Sequence, residues 1–142
     1  MRTACRHGPR RWLLLQAAVL ILVLSGLAAG CSSSKPAYCT DAANLKTFVS
    51  DLGNVNVAQN GLSSLRTALN SVRTNTSTLA SEAKSTFAPQ ITALQDALSS
   101  LNTAIKSATG QSPVTAATAV ASSVSQVKTS ASELQTAVAG KC

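Results

Sequence analysis

Apolar residues recur at every third or fourth position over most of the chain, in steps that alternate between three and four. This spacing places one apolar stripe along each helix, and no comparable stretch shows the alternation typical of a β-strand. The pattern predicts helices near residues 40–52, 56–86, 89–109 and 113–139. The stripe positions are Leu45, Phe48 and Leu52; Val55, Ala58, Leu62, Leu65, Leu69, Val72, Thr76, Leu79 and Ala83; Ile91, Leu94, Leu98, Leu101, Ile105 and Ala108; Ala117, Val120, Val124, Val127, Ala131, Leu134 and Val138.

Residues that favour helix ends stand between these stripes. Ser112 and Pro113 suit the N-cap and the first position of the fourth helix, and Gly140 suits its end. Thr40 and Asp41 are candidates to cap the first helix. The other boundary residues are Gly53 and Asn54 after the first helix, Gly61 inside the second, Phe87, Ala88 and Pro89 before the third, and Gly110 after it.

The first thirty residues follow a different pattern. A short basic segment, Met1–Arg11, precedes an apolar run, Leu13–Leu24, and small residues follow directly before Cys31. This order of segments is typical of a cleaved signal peptide. A retained membrane anchor stays open as an alternative, because the apolar stretch from residue 12 to residue 30 approaches the ~20 residues that a spanning helix needs.

The segment LAAGC at residues 27–31 resembles the lipobox of bacterial lipoproteins. The resemblance implies that Cys31 receives a diacylglycerol and that the chain is cleaved between Gly30 and Cys31. The lipid on Cys31 would then hold the protein at the extracytoplasmic face of the cell membrane. From the residues alone, an ordinary secretory cleavage that leaves a free thiol stays open. Because Arg10 and Arg11 faintly resemble a twin-arginine signal, the export route also stays open.

The net charge of +7 is divided unevenly along the chain. The segment before Cys31 holds four arginines and no acid, which leaves a charge of only +3 for residues 31–142. The single histidine, His7, also lies in that segment, so a cleaved protein contains no histidine for acid–base catalysis or metal binding. A small charge and few aromatic residues disfavour nucleic-acid binding.

The four cysteines divide by the same cleavage. Cys5 leaves with the signal peptide and Cys31 is acylated, so Cys39 and Cys142 remain. In an oxidising compartment outside the cytosol these two are expected to form a disulfide, although free thiols or a shared metal ion are alternatives. Such a bridge closes a loop of about 100 residues, which stabilises the fold by roughly 4–5 kcal/mol through chain entropy.

The expected bridge selects one topology. Short connections make successive helices antiparallel, so an even number of helices brings Cys39 and Cys142 to the same end. We therefore predict an all-α, up-down-up-down four-helix bundle with a short first helix, closed by the Cys39–Cys142 disulfide. The domains are a signal peptide at 1–30, a flexible tether at 31–38 and the helical bundle at 39–142. Alanine, serine and threonine make up nearly half of the mature chain, so partial disorder is an alternative.

No motif for a catalytic nucleophile, a nucleotide, a metal or a cofactor occurs in the sequence. The five acids are scattered, and none lies three or four positions from another. Asn75 begins a glycosylation sequon, but Thr76 lies on the apolar stripe. Three lysines are expected near the end of the bundle that faces the membrane, where they would touch anionic headgroups or serve as ordinary surface charges: Lys35, Lys46 and Lys141.

The mature chain also resembles small actinobacterial lipoproteins of unknown function, through Cys39 ahead of a short helix, the alanine-, serine- and threonine-rich heptads and the terminal Cys142. We expect a non-enzymatic helical module that is held at the membrane and binds an envelope protein or glycan. A carrier or sensor of an apolar ligand held between the helices is the alternative, and a hydrolase is a third hypothesis. The partner, the ligand and the oligomeric state stay open.

Overall fold

The computed structural model describes residues 35–142, and the fold of this part is built from helices alone. Helix α1 spans Ala37–Asn54, α2 spans Val57–Ser107 and α3 spans Pro113–Ala139. No strand occurs among the described residues. The all-α class predicted from the heptad spacing is confirmed.

Helix α2 is interrupted at two residues. Gly61 has a positive φ of 71°, and Phe87 leaves helical geometry at φ −125° and ψ 28°. Pro89 follows two residues after the second interruption, as the sequence predicted, and suits the first turn of a new helix. We call residues 62–86 the first arm of α2 and residues 88–107 the second arm.

The two arms of α2 run in opposite directions. The guanidinium of Arg66, near the start of the first arm, donates a 2.8 Å hydrogen bond to Oγ1 of Thr109, just beyond the second arm. These residues are 43 positions apart, a distance of about 65 Å in a continuous helix. The chain therefore turns back at Phe87, and the predicted second and third helices are antiparallel neighbours.

One end of the bundle brings together three parts of the chain, and we call it the disulfide pole. Cys39 near the start of α1 is bonded to Cys142 beyond α3, with a Cα–Cα distance of 5.9 Å. The ring of Tyr38 meets the ring of Phe87 edge to face at a centroid distance of 5.5 Å. α1, the two arms and α3 thus alternate in direction, which confirms the up-down-up-down bundle of four helical segments and its disulfide.

The apolar stripes meet in one core. Most of the predicted stripe positions are buried, and the stripe residue Thr76 is buried as well, with its hydroxyl donating a 2.8 Å hydrogen bond to the carbonyl of Val72. The backbone acceptor satisfies the hydroxyl, so threonine is tolerated there. The largest fully buried side chains are Leu45, Leu52, Leu65, Leu69, Leu79, Ile91, Leu94, Leu101, Ile105, Leu134, Val72 and Val120.

The predicted stripe is wrong at the start of α2. Ala58 is exposed, whereas Val57, one position earlier, is buried. The reason is the interruption at Gly61. The helical spacing does not continue through this residue, so the side chains of residues 57–60 that face the core are not those predicted by extending the stripe of the first arm. Because α1 is short, this segment covers part of the core beyond its end.

The predicted caps hold at α3 but not at α1. Ser112 accepts a hydrogen bond from the backbone N–H of Thr115, and Gly140 ends the helix. α1 instead begins directly after Pro36 without a side-chain cap, so Thr40 and Asp41 lie inside the helix. Two residues that the sequence assigned to the tether, Ala37 and Tyr38, are helical, and Tyr38 is held there by its contact with Phe87.

Gly61 is expected to be the least replaceable glycine. Its φ of 71° and ψ of 176° lie in a region that is essentially restricted to glycine. We expect Gly61→Ala to lower the free energy of unfolding by about 1–3 kcal/mol, although a Cβ atom there would meet nothing within 4 Å. Urea unfolding followed by circular dichroism measures this loss.

The matched control is Gly53→Ala in the last turn of α1. A Cβ atom there would approach only the flexible side chain of Lys128, at 3.2 Å, and alanine favours the helix. This variant should be neutral or slightly stabilising. Equal losses for both glycines would contradict the explanation by backbone strain.

Candidate binding site

The sequence-predicted site residues fall into two groups. Gly30 and Cys31, with the whole signal segment, lie outside the described residues. Cys39 and Cys142 lie at the disulfide pole and are bonded to each other. Since the described chain begins beside this bridge, at Lys35, any segment that precedes it connects to the bundle at the disulfide pole.

Two kinds of feature are missing from residues 35–142. No helix in this part is long and apolar enough to cross a membrane. Nor does this part bring together three or more side chains of histidine, cysteine, aspartate or glutamate that could hold a metal ion.

Only two of the three lysines predicted at one end of the bundle lie near the disulfide pole. Lys35 and Lys141 are exposed and adjoin the disulfide pole in the sequence. Lys46 lies two helical turns from Cys39 and lines a depression between α1 and α3 together with Lys128 and Gln135. The predicted group of three is therefore reduced to two lysines at the pole.

Two carboxylates that are far apart in the sequence meet between α1 and the first arm. Partial desolvation raises the pKa of Glu82 above its usual value of 4.5, although the residue is exposed, and a hydrogen bond with Asp41 and the repulsion of its charge raise that pKa further. No spacing along the chain indicates this pair, because the contact depends on the register of two antiparallel helices.

We expect Asp41→Asn to lower the pKa of Glu82, because the substitution removes the repelling charge. NMR titration of the Glu82 carboxyl carbon measures the change, and Asp51→Asn on the same helix is the control that leaves this pKa unchanged. The raised pKa means that the folded state binds the proton more tightly than the unfolded state. The contribution of Glu82 to stability therefore increases as the pH falls through its folded pKa. For the variant, an unchanged pKa of Glu82 in Asp41→Asn would contradict the contact between the two carboxylates.

An open groove of about 480 Å³ runs between α1 and the first arm, and we call it the hydroxyl groove. α1 contributes one aromatic side chain, Phe48, which is partly exposed. The first arm contributes the polar side chains, at positions three or four apart on one face of the helix. The lining residues are Phe48, Thr67, Asn70, Ser71, Thr74, Asn75 and Thr78.

Asn75 is the one lining residue of the hydroxyl groove that is almost completely buried. Only 9% of it is exposed, and its Oδ1 atom has no hydrogen-bond partner in the described part of the structure. An unsatisfied buried acceptor costs about 1–3 kcal/mol. Asn75 also begins the glycosylation sequon, in which Asn75 and Thr76 are buried and Ser77 is exposed.

A second depression, of about 360 Å³, lies where α1 ends against α3 and the start of α2. We call it the valine cleft. Its character is apolar, with Lys128 as its charged lining residue among those described. The apolar side chains that line it are Leu52, Val55, Val57, Leu65, Val120 and Val124.

Sequence reasoning missed both depressions. Phe48 was assigned to the core stripe, yet it is only partly buried and forms a wall of the hydroxyl groove. In the sequence, Asn75 stands out only as the first residue of the sequon. One signal for the groove is present in the sequence. Asn75 places an amide directly beside the stripe position Thr76, and apolar or small residues are usual so close to a core.

Comparisons with known proteins identify no relative. No family model matches the chain, and no curated protein or solved structure is significantly similar to it. A function for this protein must therefore be argued from its own residues.

Proposed function

We propose that this protein is a lipoprotein of the cell membrane that binds an envelope component, a protein or a glycan, through its helical domain and catalyses no reaction. A lipid on Cys31 would hold it at the extracytoplasmic face. The observation that carries the proposal is the pairing of Cys39 with Cys142. These are the two thiols that remain once Cys5 is cleaved away and Cys31 is acylated, and such bridges persist outside the cytosol.

The position of the bridge supports the same arrangement. The residues from Cys31 to the start of α1 span at most about 20 Å when extended. The disulfide pole would therefore lie close to the membrane. α3 has 27 residues and is about 40 Å long, so the opposite end of the bundle would project well beyond the lipid headgroups.

A second function is favoured by the valine cleft. Its volume of about 360 Å³ lies in the range of small-molecule sites, and its walls are mainly leucine and valine side chains. A carrier or sensor would hold the apolar part of a ligand there, with Lys128 at the polar end. Replacing the exposed lining residue Ala121 by tryptophan would fill this cleft and abolish such binding, whereas it would leave binding in the hydroxyl groove unchanged.

Replacement of the Cys31 thiol tests whether a lipid on this residue anchors the protein to the membrane. We expect Cys31→Ser to abolish labelling of the protein by a fatty acid and to leave an uncleaved precursor, because the diacylglycerol is attached to the Cys31 thiol before the chain is cut beside it. Cys5→Ser is the matched control, since that residue leaves with the signal peptide. Fatty-acid labelling followed by gel electrophoresis measures both changes, and a Cys31→Ser protein that is still labelled and cleaved would contradict the proposal.

A further inference from the structure

The hydroxyl groove combines one aromatic ring with a row of neutral polar groups. Within the described part of the chain, its lining includes no lysine, arginine, aspartate or glutamate. We propose that the hydroxyl groove binds a neutral saccharide. This inference rests on the proposed binding function and gives it a ligand class and a place.

The aromatic wall suits one face of a sugar ring. Phe48 projects from α1 beside Ser71 and Asn75, and part of its ring is exposed to solvent in the groove. A pyranose presents a face of C–H groups that packs on an aromatic ring and removes apolar surface from water. The hydroxyls at the edge of the sugar then point toward the first arm.

The first arm presents a row of acceptors to those hydroxyls. Thr67, Ser71 and Thr78 each donate their own hydroxyl proton to a backbone carbonyl four residues earlier, at 3.2–3.3 Å. Their oxygens keep free lone pairs, so they accept hydrogen bonds from a ligand. The amide of Asn70 supplies both a donor and an acceptor beside them.

Asn75 is the observation that points to a ligand rather than to an ordinary polar surface. Its buried Oδ1 has no partner, although nearly all buried polar atoms in folded proteins have one. Rotation of the amide about its last side-chain bond exchanges the oxygen and the NH2 group at the groove surface. In the orientation of the structure Oδ1 is closed off from the groove, so a sugar hydroxyl reaches this oxygen only after that rotation and then donates a hydrogen bond to it.

The lack of charge selects the class of saccharide. An acidic glycan needs cationic partners, and the cationic side chains that line other depressions, such as Lys46 and Lys128, are not among the residues that line the hydroxyl groove. The neutral amides and hydroxyls of the hydroxyl groove discriminate by geometry instead. An uncharged oligosaccharide is therefore the expected ligand.

The test uses the processed, lipid-bearing protein in a detergent without a sugar headgroup. Its probes are maltoheptaose, cellopentaose and the neutral polysaccharide fraction of the producing cell's own envelope, with the acidic fraction as the comparison. We expect saturable shifts of the Asn70 and Asn75 side-chain amide signals with at least one neutral probe, at oligosaccharide concentrations up to about 10 mM. No shift with any neutral probe overturns the inference, as does equal binding of the acidic fraction.

Two variants separate binding from folding. Phe48→Ala should weaken binding at least tenfold through loss of the aromatic wall. Asn75→Leu removes the unsatisfied acceptor, so we expect it to raise the thermal midpoint by about 3–6 °C and still weaken binding at least tenfold. Lys128→Ala in the valine cleft is the control with unchanged affinity. Unchanged affinity in both groove variants overturns the proposal.

The saccharide-binding experiment and the anchoring experiment can fail independently of each other. If fatty-acid labelling is lost in Cys31→Ser but no neutral saccharide binds to the native protein, the lipoprotein proposal stands and the saccharide inference fails. If crosslinking from Phe48 in intact cells captures a protein helix in the groove instead of a glycan, the inference is also overturned.

Discussion

Replacing both Cys39 and Cys142 by serine is expected to lower the free energy of unfolding by about 4–5 kcal/mol, the largest effect that we predict for any substitution. The bridge joins residues 103 positions apart, so it restricts nearly the whole domain in the unfolded state. Loss of the bridge removes this restriction and raises the entropy of the unfolded state. Small domains are stabilised by only about 5–15 kcal/mol in total. The variant should therefore be close to unfolding at 37 °C.

Urea unfolding without reductant, followed by circular dichroism, measures the loss. Reduction of the native protein should reproduce the stability of the double variant, and reductant should have no effect on the variant itself. A loss below about 1 kcal/mol would mean that the four helical segments hold the disulfide pole together without the covalent bond.

Replacing Phe87 by alanine is expected to cost about 3–5 kcal/mol. Phe87 is only 3% exposed and lies at the point where the two arms of α2 reverse direction. Its ring also holds Tyr38, and with it the start of α1, through the edge-to-face contact. The substitution leaves a cavity beside the start of α1, at the turn between the two arms.

The control for Phe87→Ala is Val114→Ala. Val114 is 70% exposed, so its truncation should change the free energy of unfolding by less than about 0.5 kcal/mol. Phe87→Leu should fall between these two variants, because it keeps much of the apolar volume. Similar losses for Phe87→Ala and Val114→Ala would contradict the role of the ring at the reversal.

The sequence predicted the bundle because heptad spacing and helix ends are local signals. Ser112, Pro113 and Gly140 act at α3 as their residue types suggest, and the parity of four helical segments follows from the position of two cysteines. Local signals failed where a distant contact decides the outcome. α1 extends back to Ala37 because Tyr38 packs on Phe87, not because a side chain caps it.

The candidate site was harder to predict for the same reason. Asp41 and Glu82 meet only because α1 and the first arm are antiparallel in one register, which no spacing within either helix reveals. Phe48 fits the apolar stripe, yet a position on the stripe does not specify how completely a neighbouring helix covers it. The orphaned oxygen of Asn75 requires a structure, because satisfaction of a polar atom is a property of its surroundings.

Intact-mass analysis of the protein extracted from membranes, with and without reductant and alkylation, tests the lipoprotein proposal most directly. We predict the mass of residues 31–142 carrying a diacylglycerol lipid, with two thiols that become alkylated only after reduction. A mass that still includes Met1, a chain without lipid, or a third alkylated thiol at Cys31 would contradict it.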